Sequence, residues 1–232
     1  MSNDHDMNEF LLEYATLFRH FDTDASLFAI HGLTKLIETW RCQLDDDIEA
    51  TRMGEYIDPD LGHESVYREV AITHAAVGCL APFIEGVLAH GIQHLRNDFL
   101  LPDALRKQAQ WNIRRNGIVD GFLNLVLALN IRHIFPDNCE KILRALFCYR
   151  NVAFHNGFEW PVSERQKFKA RSVEKSWDGY IDWSVSGGEF WIATLSPTFV
   201  NECALLCSAF VKSFEAVRIT WTKNGWMKNV DS

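Results

Sequence analysis

Three polar side chains, Arg150, Asn151 and His155, interrupt the otherwise apolar stretch CYRNVAFHNGFEW at residues 148–160. An ideal α-helix advances about 100° per residue, so Asn151 and His155 share a face on which the amide can orient the imidazole. Arg150 lies about 140° around the same axis from His155. The two groups therefore converge only if the arginine bends, the helix end loosens, or a second copy of the helix contributes one of them.

The residue types at this helix end suit phosphate chemistry. The guanidinium of Arg150 can bind phosphate oxygens and neutralise charge that develops on them in a transition state. The dipole at a helix C-terminus favours the cationic form of His155, whose imidazole can move a proton from a 2′-hydroxyl or to a leaving oxygen. A second interpretation stays open, in which Arg150 and His155 only solvate the end of a core helix.

Helical periodicity dominates the chain, and the helix that carries this motif is predicted over about residues 138–156. Asp137 and Glu140 have the spacing of a capping box at its start, and Gly157 is a natural left-handed residue at its end. Other helices are predicted over about 7–21, 25–53, 64–97 and 118–134, with a loop at 54–62 and a short helix that ends near residue 115.

The periodicity changes near residue 180. Ile181, Trp183 and Val185 alternate with polar residues and Gly187-Gly188 follows, which predicts a β-hairpin over about 180–195. Ser196 and Pro197 then have the residue types that begin a helix, predicted over about 197–223. Its apolar seam packs against another helix, in this subunit or in a partner, and consists of Cys203, Cys207, Phe210, Phe214, Val217 and Trp221.

These elements predict an all-α helical bundle with the hairpin inserted before the C-terminal helix. The chain has 232 residues, 47% of them hydrophobic, which is enough for one domain with a sizeable core. No internal repeat or linker divides it, so we predict a single domain over residues 1–232. Acidic N-terminal helices over residues 1–60 form its first part.

Charge is distributed unevenly along the chain. Residues 1–60 contain 14 acidic and 4 basic side chains, whereas the remaining residues carry a net charge of +2. The segment ERQKFKARSVEK at 164–175 holds five basic and two acidic residues. A solvated helix face is one interpretation of this run, and an RNA-guiding surface is the other. The RNA-binding residues predicted within it are Arg165, Lys167, Lys169 and Arg171.

No metal site or cofactor is predicted. His90 and His94 are four residues apart on a helix, but Gly91 stands where a zinc protease has its general-base glutamate, and no further ligand completes the set. We therefore predict that both histidines are exposed. His74 lies on the apolar stripe of the same helix and is predicted to be a core or interface residue.

We expect a cytoplasmic protein. The six cysteines form no C-x-x-C pair and lie mostly in apolar helical contexts, which favours buried free thiols in a reducing compartment. The opening MSNDHDMNEF is polar and acidic, which does not suit a secretory signal. Polar residues interrupt the most apolar run, so no membrane partner is expected; they are Asp120, Asn124 and Asn130.

The segment RNVAFH, Arg150 to His155, resembles the R-x4-H signature of the HEPN superfamily (higher eukaryotes and prokaryotes nucleotide-binding), with the polar Asn151 directly after the arginine. HEPN domains are all-α bundles in which this motif lies near a helix end late in the domain, and two motifs often face each other in a homodimer. The motif covers six residues, and the architectural resemblance covers the second half of the chain. A looser match at Arg68 and His74 has the wrong spacing and lies within a helix.

The resemblance implies a metal-independent endoribonuclease that uses the 2′-hydroxyl as nucleophile and leaves a 2′,3′-cyclic phosphate. Arg150 and His155 would be catalytic, with Asn151 in support. The family implies a toxin or anti-phage defence effector, and an antitoxin or regulatory protein as an additional partner besides RNA. The alternative is a non-catalytic HEPN-like module that dimerises or binds a nucleotide or a protein. A third possibility is a purely structural helical protein.

Overall fold

The computed structural model describes residues 59–98 and 113–225, together with helical positions 35, 39 and 42. Its contacts divide the chain into two compact units, Met1–Cys79 and Leu80–Ser232. Of the helix predicted over 25–53, only those three positions are described, and the helix predicted over 7–21 lies outside the described residues. A single domain over the whole chain stays a prediction.

The described part is mostly helical, with one two-stranded hairpin before the last helix, as predicted. Its elements in chain order are α1 (Pro59–Asp98), α2 (Ile113–Ala128), a 3-10 turn (Arg132–Ile134), α3 (Cys139–Asn156), α4 (Val162–Glu174), β1 (Ile181–Ser186), β2 (Glu189–Leu195) and α5 (Pro197–Lys223).

Helix α1 begins earlier than predicted. Pro59 occupies its first position, where a missing N–H costs nothing, so residues 59–62 are helical and the predicted loop over 54–62 is wrong for them. Within the first unit, His74 is half-buried and its Nδ1 donates to the backbone oxygen of Val70 at 3.0 Å. That environment agrees with a core or interface histidine.

One described helix segment, Val66–Gln93, is long and apolar enough to cross a membrane by length and composition alone. Half of its most apolar window is buried inside the fold. A core helix of a soluble protein has the same properties, and the fold is consistent with a soluble protein.

The core of the second unit is aromatic where α2, the 3-10 turn and α5 meet. Phe122 and Phe135 pack edge to face with ring centroids 5.2 Å apart, and Phe135 packs in the same way on Phe214 at 5.3 Å. Gly91 of α1 lies against the same ring, because a Cβ at this position would lie 2.5 Å from a Phe214 ring carbon. All six residues of the α5 seam predicted from the sequence are buried within this subunit.

The apolar segment 118–134 is not one helix as predicted. Helix α2 ends at Ala128, and Asn130 has a left-handed φ of 56°, which stops the α-helix before the 3-10 turn. The Arg132 guanidinium then donates to three backbone oxygens at 3.0–3.1 Å, those of Phe135, Pro136 and Asp137. These bonds fix the approach of the chain to α3.

Helix α3 has the predicted length but not the predicted cap. Its N-cap is Asn138, without a side-chain cap hydrogen bond, so the capping box of Asp137 and Glu140 does not form. Glu140 instead accepts from Arg144 at 2.8 Å, one turn along the helix. The other end agrees with the prediction, because Gly157 has a φ of 73° and its N–H bonds to Ala153.

The hairpin and the final helix are confirmed. Strands β1 and β2 are antiparallel, Gly187 and Gly188 form the turn with φ values of 60° and 84°, and a register irregularity follows Ser184. Positive φ at both turn positions matches the right-handed twist of the strands and favours glycine. Ser196 caps α5 by accepting from the Phe199 N–H at 3.1 Å, with Pro197 in the first turn.

Candidate functional site

The first part of α3 is a core element that anchors the motif. Ile142, Leu143, Leu146 and Tyr149 are each at most 1% exposed. The Tyr149 hydroxyl donates to the backbone oxygen of Ala193 in β2 at 2.9 Å. Burial raises the pKa of the Tyr149 phenol. The residue directly before Arg150 is therefore fixed by both packing and a buried hydrogen bond.

An aromatic cluster connects α3 to α4 and the hairpin. Tyr149 lies 5.4 Å from Trp160 and 6.0 Å from Phe168, and Trp160 and Phe168 are 5.1 Å apart, all between ring centroids. Trp183 of β1 packs edge to face on Trp160 at 6.5 Å. Such aromatic pairs stabilise a fold beyond the area they bury. The hairpin therefore packs against the aromatic residues on both sides of the motif, Tyr149 before it and Trp160 after it.

We call the segment Arg150–Asn156 the α3 tip. The side chain of Arg150 is 38% exposed, its Nη2 lies 4.0 Å from Glu85 Oε2 of α1, and its Nη1 lies 3.5 Å from Asn151 Oδ1. Its Cζ lies 5.8 Å from the centroid of the Phe147 ring. The guanidinium is therefore held at the surface from three directions, and part of it remains accessible to solvent.

His155 and Asn151 are both exposed. The Asn151 amide oxygen accepts from Arg150, and within the described part of the chain neither a hydrogen bond nor an ion pair joins it to His155. Orientation of the imidazole by Asn151 stays a prediction. The adjacent Asn156 turns its amide inward, where Nδ2 donates to the backbone oxygen of Val152 at 2.8 Å.

The two predicted catalytic groups are both accessible but lie on different sides of one helix. Five positions separate Arg150 from His155, which corresponds to about 140° around the axis. Between them Phe154 is 57% exposed, and Phe158, just after the helix, is 52% exposed. Two exposed aromatic side chains therefore lie close in sequence to the polar groups of the α3 tip.

The basic residues of α4 make contacts within the fold. Arg165 Nη1 donates to the backbone oxygens of Phe190 and Trp191 in β2 at 2.7 and 3.1 Å, so this residue attaches α4 to the hairpin. Lys167 pairs with Glu164 at 2.7 Å but its side chain remains 70% exposed.

Two other cations of the run contact neighbouring elements. Lys169 lies over the Phe190 ring, and Arg171 Nη1 lies 3.2 Å from the Cys148 sulfur of α3. RNA binding by Arg165, Lys167, Lys169 and Arg171 stays a prediction, and Arg165 has a structural role as well.

Among the described residues, no group of three or more histidine, cysteine or acidic side chains is arranged to hold a metal ion. His90 is exposed, and the side chain of His94 lies outside the described residues. All six cysteines are free thiols, but the expectation that they are buried holds only for Cys139, Cys203 and Cys207. Burial raises the pKa of Cys207 to about 12, so this thiol is protonated at neutral pH.

Comparison with known proteins yields no match: no protein-family model fits the sequence, and neither a curated protein nor a solved structure is significantly similar to it.

The sequence did not predict two contacts of Arg150. Glu85 lies 65 positions earlier in the chain, and no local pattern connects it to the motif. Phe147 was an ordinary apolar helix residue in the sequence, although its spacing of three residues before Arg150 places the two side chains on neighbouring rows of the helix. That spacing is a signal from which the cation–π contact is predictable.

Proposed function

We propose that the protein is a metal-independent endoribonuclease of the HEPN type, with its second unit forming a HEPN-like bundle. The observation that carries the proposal is the α3 tip, where a half-exposed guanidinium and an exposed imidazole project from the end of a firmly anchored helix. Neither the Arg150 guanidinium nor the His155 imidazole is buried, so packing of the core does not require either group. The immediate stop of this helix at Gly157 and the long final helix that follows later in the chain support the same assignment.

In the proposed reaction a ribose 2′-hydroxyl attacks the adjacent phosphorus while the bond to the 5′-oxygen breaks, which leaves a 2′,3′-cyclic phosphate and a free 5′-hydroxyl. Arg150 binds the non-bridging oxygens and stabilises their developing charge. His155 transfers a proton, from the 2′-hydroxyl or to the 5′-oxygen. Asn151 contacts Arg150 and supports this arrangement.

A homodimer completes the proposed site. Because Arg150 and His155 lie about 140° apart on the helix, a twofold pairing of α3 tips provides an arginine from one protomer close to a histidine from its partner. Phe154 and Phe158, with 57% and 52% of their surfaces exposed, supply apolar area beside such a pairing.

Cleavage of RNA in the presence of a chelator tests the proposal. Wild-type protein is expected to cut RNA, and Arg150→Ala and His155→Ala are each expected to lose at least about a hundredfold in rate. Equal rates for all three proteins, or no cleavage by the wild type on varied RNAs, would contradict it.

Two variants provide matched controls. His133→Ala removes an exposed imidazole from the 3-10 turn, and Arg218→Ala removes a half-exposed guanidinium that is paired with Glu215 on α5. Both are expected to cleave at the wild-type rate. A loss in either control as large as that in the tip variants would show a general effect of surface charge.

A second candidate function is a non-catalytic HEPN-like module that dimerises or binds a nucleotide or protein. The exposed Phe154 and Phe158 favour this candidate, and so does the acidic segment 1–60. The apolar seam of α5 no longer supports it, because that seam is buried within the chain. An inactive wild-type protein whose complex is disrupted by Phe154→Ala and preserved in His155→Ala would favour this module over the enzyme.

We also propose a cytoplasmic toxin or anti-phage defence effector, neutralised or regulated by a partner protein. The proposed reaction would damage cellular RNA, so induced expression is expected to arrest growth. Expression of His155→Ala at the same level is expected to leave growth unaffected. Arrest by both proteins would show that toxicity is independent of the proposed chemistry.

A further inference from the structure

The guanidinium that the proposed reaction needs is already close to a carboxylate of the same chain. Arg150 Nη2 lies 4.0 Å from Glu85 Oε2, and Nη1 lies 3.5 Å from Asn151 Oδ1. A phosphate binds arginine most strongly through two parallel hydrogen bonds from this nitrogen fork. Glu85 therefore lies in a direction from which a phosphodiester would bind Nη2.

The contact with Glu85 is weak enough to be displaced. The two side chains are 38% and 39% exposed, and their separation is at the outer limit of an ion pair. Exposed pairs of this kind contribute little to stability because water screens them. A carboxylate at this position nevertheless lowers the positive potential that a phosphate meets at Arg150.

From this geometry we propose that Glu85 is an intramolecular counter-ion that competes with RNA phosphate for Arg150 and sets the affinity of the site for RNA. The inference rests on the proposed function and names the regulation of that same site. Glu85 is a positioning residue, because it acts through Arg150 and takes no part in the bond changes. Asn151 remains on Nη1 when the phosphate displaces the carboxylate from Nη2.

The test is a double-mutant cycle between Glu85→Gln and Arg150→Ala, read by steady-state cleavage of a short RNA in chelator. Glutamine keeps the shape of the side chain and removes its charge. Glu85→Gln is expected to lower KM about two- to fivefold with kcat unchanged, which is the effect of removing one exposed ion pair. In the Arg150→Ala background the same substitution is expected to change KM by less than about 1.5-fold.

Asp137→Asn is the matched control, since it removes one negative charge from an exposed side chain at the start of α3, about 20 Å from Arg150 along the helix axis. It is expected to leave KM within about 1.5-fold of wild type, because exposed charges beyond a Debye length are screened. A decrease in KM equal to that of Glu85→Gln would show a general charge effect and overturn the inference. The inference would also be overturned if Glu85→Gln lowered KM equally in the Arg150→Ala background, or if it did not lower KM in the wild-type background.

A binding measurement separates failure of this inference from failure of the proposed function. The dissociation constant of a 2′-O-methyl oligonucleotide, which cannot be cleaved, is measured for the four proteins of the cycle. If the wild type does not cleave RNA but the cycle shows the expected coupling in binding, only the proposed catalysis is wrong. Cleavage without coupling removes the role of Glu85 alone, and absence of both cleavage and binding removes both proposals.

Discussion

The part of α3 before Arg150 packs its apolar side chains into the core, whereas the α3 tip exposes Asn151, Phe154 and His155, although one continuous helix carries both. Leu146 and Tyr149 are completely enclosed, and Phe154 a few residues later has 57% of its surface in solvent. Buried apolar side chains stabilise a fold through the area they remove from water. Exposed polar and aromatic side chains contribute little to stability, so substitutions at the tip are expected to leave the fold intact.

This difference implies that stability and activity can be changed separately on the same helix. The anchor is held by the aromatic cluster around Trp160 and Phe168 and by the Tyr149 hydrogen bond to β2. The tip extends from that anchor to Gly157. Substitutions in the anchor are therefore expected to lower stability, and substitutions in the tip are expected to lower activity without loss of stability.

The largest expected effect is the loss of RNA cleavage in His155→Ala, by about 10²- to 10⁴-fold, because general acid–base catalysis contributes rates of that order. Its free energy of unfolding is expected to stay within about 0.5 kcal/mol of wild type, since His155 is exposed. Single-turnover rates measure the loss of RNA cleavage, and urea denaturation measures the free energy of unfolding. A destabilised and inactive variant would erase the distinction between anchor and tip.

Leu146→Ala tests the anchor. Truncation of this fully buried side chain is expected to lower the free energy of unfolding by about 2–5 kcal/mol, through lost burial and the cavity left behind. Phe154→Ala at the tip is the matched apolar truncation and is expected to cost less than about 0.5 kcal/mol. Equal costs in urea denaturation would mean that the tip belongs to the core.

Gly157→Ala tests the boundary between α3 and the loop. The residue has φ 73° and ψ −147°, a conformation that is strained for alanine, so a loss of about 1–3 kcal/mol in the free energy of unfolding is expected. Gly86→Ala is the control, since Gly86 lies within α1 with open space around its Cα. There alanine is expected to be neutral or stabilising by up to about 1 kcal/mol, through its better helix propensity.

The smallest effect concerns the Tyr149 phenol and pH. Its pKa is raised by burial, so above about pH 10 the unfolded chain loses this proton while the folded chain keeps it, and stability falls as pH rises. From pH 9 to 11 this tyrosine is expected to contribute a loss of about 1 kcal/mol. Tyr149→Phe is expected to lack that part of the decrease, as measured by urea denaturation at both pH values. An identical decrease in the two proteins would show that the phenol ionises equally well in the folded state.

Local signals in the sequence predicted much of the fold. The Gly187-Gly188 turn, the Ser196-Pro197 helix start and the Gly157 helix end each depend on the conformational preferences of one or two residues. These features are present as predicted because no distant contact has to decide them. The same is true of the α5 seam, whose spacing alone determines which face is buried.

Local backbone bonds in one case and a contact between distant residues in another decide features that the sequence did not predict. The apolar run 118–134 has the composition of one helix, but Asn130 takes a left-handed conformation and Arg132 binds the backbone that follows. Arg165 is a basic residue in a basic run, and only the folded hairpin shows that it attaches α4 to β2. Phe154 and Phe158 are apolar in sequence and exposed in the fold.

The central claim, that Arg150 and His155 act together on a phosphodiester, is tested most directly with a single-linkage substrate. A DNA oligonucleotide with one ribonucleotide is incubated in chelator with wild-type protein, with Arg150→Ala and His155→Ala, and with the variant that combines both substitutions. Wild type is expected to cut only after the ribonucleotide and to leave a 2′,3′-cyclic phosphate. The double variant is expected to be no slower than the slower single variant, as for residues that act as a unit. Cleavage of the linkage by the double variant at the wild-type rate would contradict the claim.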